Sequence, residues 1–143
     1  MDRTIAPTDL STQDQDDRPL AVHLWFSDQS RSSVFGPLGW VFGYPHITHT
    51  ITYVLGGNHA LGSLFANPYY DNGAIIALRG PNPVRGKWYS EKRNIRADIA
   101  RAFAEKPNIN TLKFISVSAD TDHTESNSLS RIADLKLSGE GRP

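Results

Sequence analysis

The stretch that decides the fold is TLKFISVSADTDHTESNSLSRIADLKL, residues 111–137. Its first eight residues largely alternate between polar and apolar side chains, which is the pattern of a strand, and residues 131–137 form a second strand-like segment. Between them, residues 119–127 carry three carboxylates, two threonine hydroxyls and an amide. Two strands joined by such a turn are typical of a β protein with a polar ligand site in its loops.

Working outward, four more segments have strand patterns. They are residues 20–26, 47–55, 74–79 and 86–93. One short helix is predicted near residues 95–105, because Asn94 is a good N-cap, apolar side chains recur with helical spacing, and Pro107 ends the pattern. About six strands with a single helix predict a mainly β protein, namely an antiparallel, jelly-roll-like β-sandwich.

The totals limit the number of domains and the classes of partner. A chain of 143 residues has room for one core, which we place in residues 19–137. Residues 1–18 are polar and are expected to form a disordered or loosely attached arm, and residues 138–143 a disordered tail. Fifteen basic residues balance fifteen acidic ones, which argues against a nucleic-acid partner, and the lack of cysteine excludes disulfides and thiolate chemistry.

No targeting or membrane signal stands out in the sequence. No apolar run approaches the roughly 20 residues of a membrane span, so we expect none. The first residues lack the apolar core of a signal peptide, and the sequence by itself leaves the compartment undetermined.

The acidic turn is the leading candidate site. Asp120 and Asp122 lie two residues apart and can present both carboxylates to a hard cation, for which calcium is the candidate. An EF-hand is excluded, because Glu125 replaces the glycine and Arg131 the final glutamate of that loop. The alternative is that these side chains hydrogen-bond the main chain of the turn.

Catalysis has little support in the sequence, and no catalytic residue is assigned. There is no nucleophile elbow around Gly62-Ser63 and no phosphate-binding loop. A glycosidase needs two carboxylates about 5 to 10 Å apart. Asp122 or Asp120 with Glu91 or Asp17 would provide them, but nothing singles out a pair.

Aromatic residues are a second candidate binding feature. Trp25, Trp88 and Tyr53 lie in strand-like segments and are either core residues or platforms for a sugar ring. Residues 35–44 hold four further aromatics between glycines. They form either a cap on the core or an exposed contact surface.

Several blocks together resemble a known family. They are DDRPLAV (16–22), ITYV (51–54), GKWYSEKRNI (86–95), the helix with Asp98 and Phe103, and DTDHT (120–124). In this order they are similar to the bacterial domain-of-unknown-function 3047 family, over residues 16–137. The resemblance implies an exported, galactose-binding-like β-sandwich of unassigned activity.

This chain also departs from the family pattern. The resemblance covers the C-terminal two-thirds of the family domain, so the sandwich is expected to be incomplete. Leu55 and His123 stand where members usually have tryptophan and asparagine, and residues 129–133 lack an expected aromatic. These differences imply that a family site, if it lies there, is altered in this chain.

The function predicted from the sequence is non-catalytic binding of a polar ligand such as a saccharide. The predicted ligand-binding residues are Asp120, Asp122, His123, Trp88 and Tyr53, with the first two as calcium ligands. One alternative is a hydrolase acting on polysaccharide or cell-envelope material. A second is a truncated, functionless copy that self-associates through unpaired strand edges.

Overall fold

The computed structural model describes residues 8–81, 83–109 and 111–139. It contains one five-stranded sheet, a short 3₁₀ helix at Gly39–Phe42 and one α-helix, α1, at Ile95–Ala102. The strands are β1 Arg18–Ser27, β2 His49–Leu55, β3 Leu64–Ala66, β4 Gly73–Arg79 and β5 Thr111–Asp120. The prediction of a mainly β fold with one short helix is therefore confirmed.

The sheet has the order β3-β4-β2-β1-β5. Three of its four pairings are antiparallel and one, between β2 and β4, is parallel. β1 lies between β2 and β5. Successive side chains of β1 point to opposite faces of the sheet, so both faces carry residues of this strand. The described residues form this one open sheet, so the second layer of the predicted sandwich is not seen among them.

One face of the sheet is covered by α1 and carries the main core. The helix begins as predicted, because the Asn94 side chain accepts the N–H of Ala97 at 3.1 Å. The side chains buried in this core are Leu24, Phe26, Ile51, Tyr53, Ala74, Ile76, Leu78 and Phe103. We call this the helix-covered face.

The opposite face, which we call the open face, carries a smaller cluster. Leu10 packs there with Ala21, Val54 and Ile75, and is only 1% exposed. The Thr8 hydroxyl also donates to the Asp17 carbonyl at 2.6 Å. Within residues 8–17, Thr8, Leu10, Asp16 and Asp17 are therefore buried against the rest of the chain, whereas residues 11–15 are exposed. Residues 1–7 lie outside the described part of the chain, and the arm as a whole stays a prediction. The expected tail falls mostly outside the described part as well.

Two of the predicted strands are wrong. Residues 86–93 are irregular, and the Tyr89 ring is held beside the end of β4 by the Arg79 guanidinium, 4.6 Å from its centroid. Residues 131–137 also form no strand and are exposed throughout. Alternation alone does not make a strand, because a strand also needs a neighbour with which to share main-chain hydrogen bonds. β3, a strand of three residues, was not predicted.

Candidate functional site

The acidic turn follows β5 and is fixed by a buried carboxylate from another part of the chain. Asp17, which is fully buried, accepts the N–H of Thr124 at 2.6 Å and the N–H of His123 at 3.3 Å. Although its burial acts in the opposite direction, hydrogen bonds from Thr124 and His123 lower the pKa of Asp17. The turn is therefore tied to the residue that precedes β1.

Two of the predicted site residues meet Asp17 in this turn. The His123 Nδ1 atom lies 2.7 Å from Asp122 Oδ1 and 3.5 Å from Asp17 Oδ1. One possible metal-binding atom from each of the three lies within 4.8 Å of the others. Two carboxylates and an imidazole are a poorer set for calcium than the six to eight oxygens it prefers. Asp17 already accepts two N–H groups, and the calcium site remains a prediction.

The carboxylates around His123 favour its protonated form, whereas the pKa of Asp122 is shifted towards the neutral form of that carboxyl. Partial desolvation and the charge of Asp120 raise the pKa of Asp122. Desolvation opposes the change at His123, but the carboxylates of Asp122 and Asp14 raise its pKa. A protonated His123 would neutralise neighbouring carboxylates and would not donate a lone pair to a metal.

Tyr53, a predicted ligand-binding residue, does not lie at the surface. It is 5% exposed on the helix-covered face, and its hydroxyl donates to Asp98 Oδ2 at 2.7 Å. Burial, followed by the Asp98 carboxylate, raises the pKa of Tyr53. Its ring is therefore not open to a ligand, and this part of the predicted site is corrected.

Trp88, another predicted ligand-binding residue, lies on the irregular segment between β4 and α1. Its side chain is 64% exposed, so a ligand can reach it. The acidic turn, by contrast, follows the edge strand β5. A role for Trp88 beside that turn stays a prediction.

A different cavity lies on the open face, with a volume of about 260 Å³. The alternation of β1 directs His23 and Trp25 to this face, and that of β2 directs Thr50 and Thr52 there. We call this cavity the sheet-face groove. The residues that bear on its chemistry are Asp16, Arg18, His23, Trp25, Tyr69 and Tyr70.

Aromatic rings form one wall of the groove. Trp25 stacks on Phe114 of β5, with ring centroids 5.3 Å apart, and meets Tyr70 edge to face at 6.2 Å. Its indole N–H donates to the Ser116 hydroxyl at 2.8 Å. These contacts hold the orientation of the indole, so the wall is preorganised.

Charged groups also belong to the lining. Arg18 Nη1 donates to the Asp16 carbonyl at 2.7 Å and to Asp16 Oδ2 at 2.8 Å. The Tyr69 hydroxyl donates to the other oxygen of the same carboxylate at 2.8 Å. Arg18 Nη1 also lies 4.0 Å from Asp120 Oδ2, so the groove and the acidic turn are adjacent.

His23 adds a neutral group to the groove. Burial, and secondarily the positive charge of Arg18, lower the pKa of His23 to about 4. Its ring nitrogens lie 3.0 Å from the Thr52 hydroxyl and 2.7 Å from the Ser118 hydroxyl. The ring is therefore uncharged at neutral pH and is held on both sides.

Two buried polar atoms of groove residues have no hydrogen-bond partner. They are Arg18 Nε and Thr50 Oγ1. Buried polar groups are nearly always paired, and an unpaired one costs roughly 1–3 kcal/mol. Unsatisfied groups of this kind are expected where a ligand or water completes the hydrogen bonding.

Sequence reasoning identified one groove residue, Trp25, as a possible sugar platform, and missed the rest. Tyr69 and Asp16 are separated by 53 positions, and β1 and β5 by still more, so no local spacing joins them. The one available signal was the second face of β1, where Trp25 follows His23 at strand spacing.

Comparison with known proteins gives one result. A family model described as "Protein of unknown function (DUF3047)" matches residues 1–136. No curated protein and no solved structure matches the chain. Because the match covers most of the 143 residues, the chain belongs to the DUF3047 family of proteins of unknown function.

Proposed function

We propose that this protein is a non-catalytic module that binds a saccharide in the sheet-face groove. The observation that carries the proposal is the combination of an aromatic wall with hydrogen-bonding groups in one cavity. Trp25 and Tyr70 supply the aromatic surface, and Arg18, Asp16 and His23 supply the polar groups.

This combination fits the chemistry of a sugar. The C–H faces of a sugar ring pack on flat aromatic side chains, while its hydroxyls both donate and accept hydrogen bonds. The groove volume of about 260 Å³ is just below the range of about 300–1,000 Å³ that is usual for ligand pockets, so the groove would hold a single sugar unit.

In this proposal the acidic turn supports the groove. Asp120 helps to hold Arg18, and Asp17 fixes the main chain at His123 and Thr124. We propose that Asp122 and His123 contact a ligand that extends beyond the groove. We assign Trp88 no contact in the groove.

The lining favours binding over hydrolysis. Of the described residues that line the groove, Asp16 is the single carboxylate. Its oxygens already accept hydrogen bonds from Arg18 and Tyr69. A glycosidase needs two carboxylates about 5 to 10 Å apart, on either side of the scissile bond. Asp120 comes near enough to Asp16, since both carboxylates lie within 4.0 Å of Arg18 Nη1, but Asp120 does not line the groove.

The test is a glycan array followed by calorimetry on the strongest ligand, with and without calcium. We expect Tyr70→Ala to weaken binding by roughly tenfold, because an aromatic contact contributes about 0.5–1.5 kcal/mol beyond its buried area. Trp88→Ala is the matched control, since this ring is also exposed but lies outside the groove lining. The affinity of the Trp88→Ala variant for the ligand should equal that of the wild type.

Two results would count against the proposal. No binding to any glycan would refute saccharide recognition. Binding that is insensitive to Tyr70→Ala, but is lost in Trp88→Ala or in Asp120→Ala with Asp122→Ala, would move the site to the residues predicted from the sequence.

A further inference from the structure

A second surface feature is an exposed apolar loop far richer in aromatics than the rest of the described surface. It lies between β1 and β2, and we call residues 38–44 the apolar tip. Its large side chains have exposed fractions of 54–76%: Leu38 63%, Trp40 76%, Val41 55%, Phe42 74% and Tyr44 54%. Contiguous exposed apolar surface of this kind marks a site of interaction.

The main chain of the tip is closed on itself. The N–H groups of Val41, Gly43 and Tyr44 donate to carbonyls of the same loop at 3.0–3.1 Å. Gly43 ends the 3₁₀ turn in a left-handed conformation, with φ of 77°. These N–H groups need no water as partner, which lowers the cost of moving the tip into an apolar medium.

The two arms of the loop are joined to each other at its base. The Val34 N–H donates to the Ile47 carbonyl at 2.7 Å, and the rings of Phe35 and Tyr44 stack with centroids 4.9 Å apart. At Gly36 and Gly43 the space beside the Cα atom is open to 4 Å. The apolar tip therefore projects from a loop whose base is held by these contacts, and it does not form the wall of a groove.

The charge pattern indicates what the tip meets. No Asp, Glu, Lys or Arg occurs in residues 32–45. Arg31, just before this run, lies 3.5 Å from Asp28 and 3.6 Å from Glu105. The tip thus offers no charge for pairing with a polar protein surface, and it combines aliphatic side chains with the tryptophan and tyrosine that are enriched at membrane interfaces.

We propose that the apolar tip inserts into the interfacial layer of a lipid bilayer and holds the protein on the membrane surface. A projection suits a fluid, deformable apolar phase, which needs no complementary groove. Because the tip has no charge and the chain balances fifteen acidic with fifteen basic residues, binding is governed by apolar burial and not by anionic headgroups. The described residues include no helix long and apolar enough to span a bilayer.

The experiment is flotation of the full chain with phosphatidylcholine vesicles at low and high salt. We expect the wild-type protein to float with the vesicles at both salt concentrations. Trp40→Ser combined with Phe42→Ser should lower the partition coefficient by roughly tenfold or more, because two large apolar side chains lose their burial in lipid. Trp88→Ser is the control and should float like the wild type, since that exposed tryptophan lies outside the tip.

Thermal melting of each variant confirms that it is folded, and lipids with quenchers at defined depths locate the tryptophan. Quenching by shallow quenchers that occurs in the wild type and is lost in the tip variant supports the proposal, because it then comes from Trp40. The proposal is overturned if wild-type protein stays out of the vesicle fraction, or if the tip variant floats as well as the wild type. It is also overturned if sedimentation shows a dimer that the tip variant abolishes while no form binds vesicles, because the tip then contacts a second copy.

Discussion

Removing the carboxylate of Asp98 tests how α1 is fastened to the sheet. This side chain is 4% exposed and accepts three hydrogen bonds. They come from the Tyr53 hydroxyl at 2.7 Å, from Arg93 Nε at 3.0 Å and from Arg93 Nη2 at 2.5 Å. Asp98→Ala leaves a buried phenol and a guanidinium without their acceptor.

The expected cost follows from the burial of the partners. Removing one member of a buried ion pair typically costs about 3–5 kcal/mol. The Arg93 side chain is 30% exposed and can turn to water, so we expect the lower end, about 3 kcal/mol. Tyr53→Phe removes a single hydrogen bond to a charged group and should cost about 1.5–2 kcal/mol.

Urea unfolding of the two single variants and the double variant forms a mutant cycle. In Asp98→Ala the Tyr53 hydroxyl has already lost its acceptor, so removing that hydroxyl as well costs little. The double variant should therefore be about 1–2 kcal/mol more stable than the sum of the two single losses predicts. Glu91→Ala is the control, because the Glu91 and Arg79 side chains form an ion pair and are 28% and 24% exposed. This substitution should cost less than about 1 kcal/mol of stability. The reasoning fails if Asp98→Ala costs no more than this control, or if the two changes are additive.

Three further predictions concern the open face and the turn. Leu10→Ala should lower the free energy of unfolding in urea by about 3 kcal/mol, while Leu129→Ala, at an 83% exposed position, should leave it unchanged. Asp17→Asn should speed hydrogen exchange of the Thr124 amide, since the N–H then loses a charged acceptor; unaltered exchange would contradict this role. The pKa of His23 is about 4 in the folded protein and 6.5 in the unfolded chain, so protonation favours unfolding and stability should fall as pH falls through that window. With allowance for partial exposure the loss should be about 2 kcal/mol, and His23→Gln should show a correspondingly smaller loss between pH 7 and pH 4.5.

The regular elements were predictable where local pattern and burial agree. The strand around Ile51 alternates and is buried in the sheet, and the helix has both an N-cap at Asn94 and an apolar stripe. Residues 131–137 alternate equally well but are exposed and form no strand. The alternation of polar and apolar residues shows which face of a segment can be buried. Whether the segment becomes a strand depends on whether the edge of a sheet lies beside it.

The candidate site was less predictable, because it is assembled from distant segments. The turn at Asp122 and His123 was found from its composition. Asp17, whose carboxylate holds the main chain of this turn, is more than 100 positions away in the sequence. Its sequence context is that of a solvated acidic arm. Tyr53 was assigned to a ligand because the sequence does not show that Asp98 will bury and bond its hydroxyl.

The most direct test of the central claim, that the sheet-face groove binds a saccharide, is a titration followed by the indole N–H signals in the NMR spectrum. The chain has three tryptophans, of which Trp25 lines the groove while Trp40 and Trp88 do not. Titration with a panel of mono- and disaccharides should shift the Trp25 signal together with the amides of β1, and leave the other two indole signals in place. Saturable shifts at Trp88 or at residues 120–124 with Trp25 unmoved, or no shift with any sugar, would contradict the account.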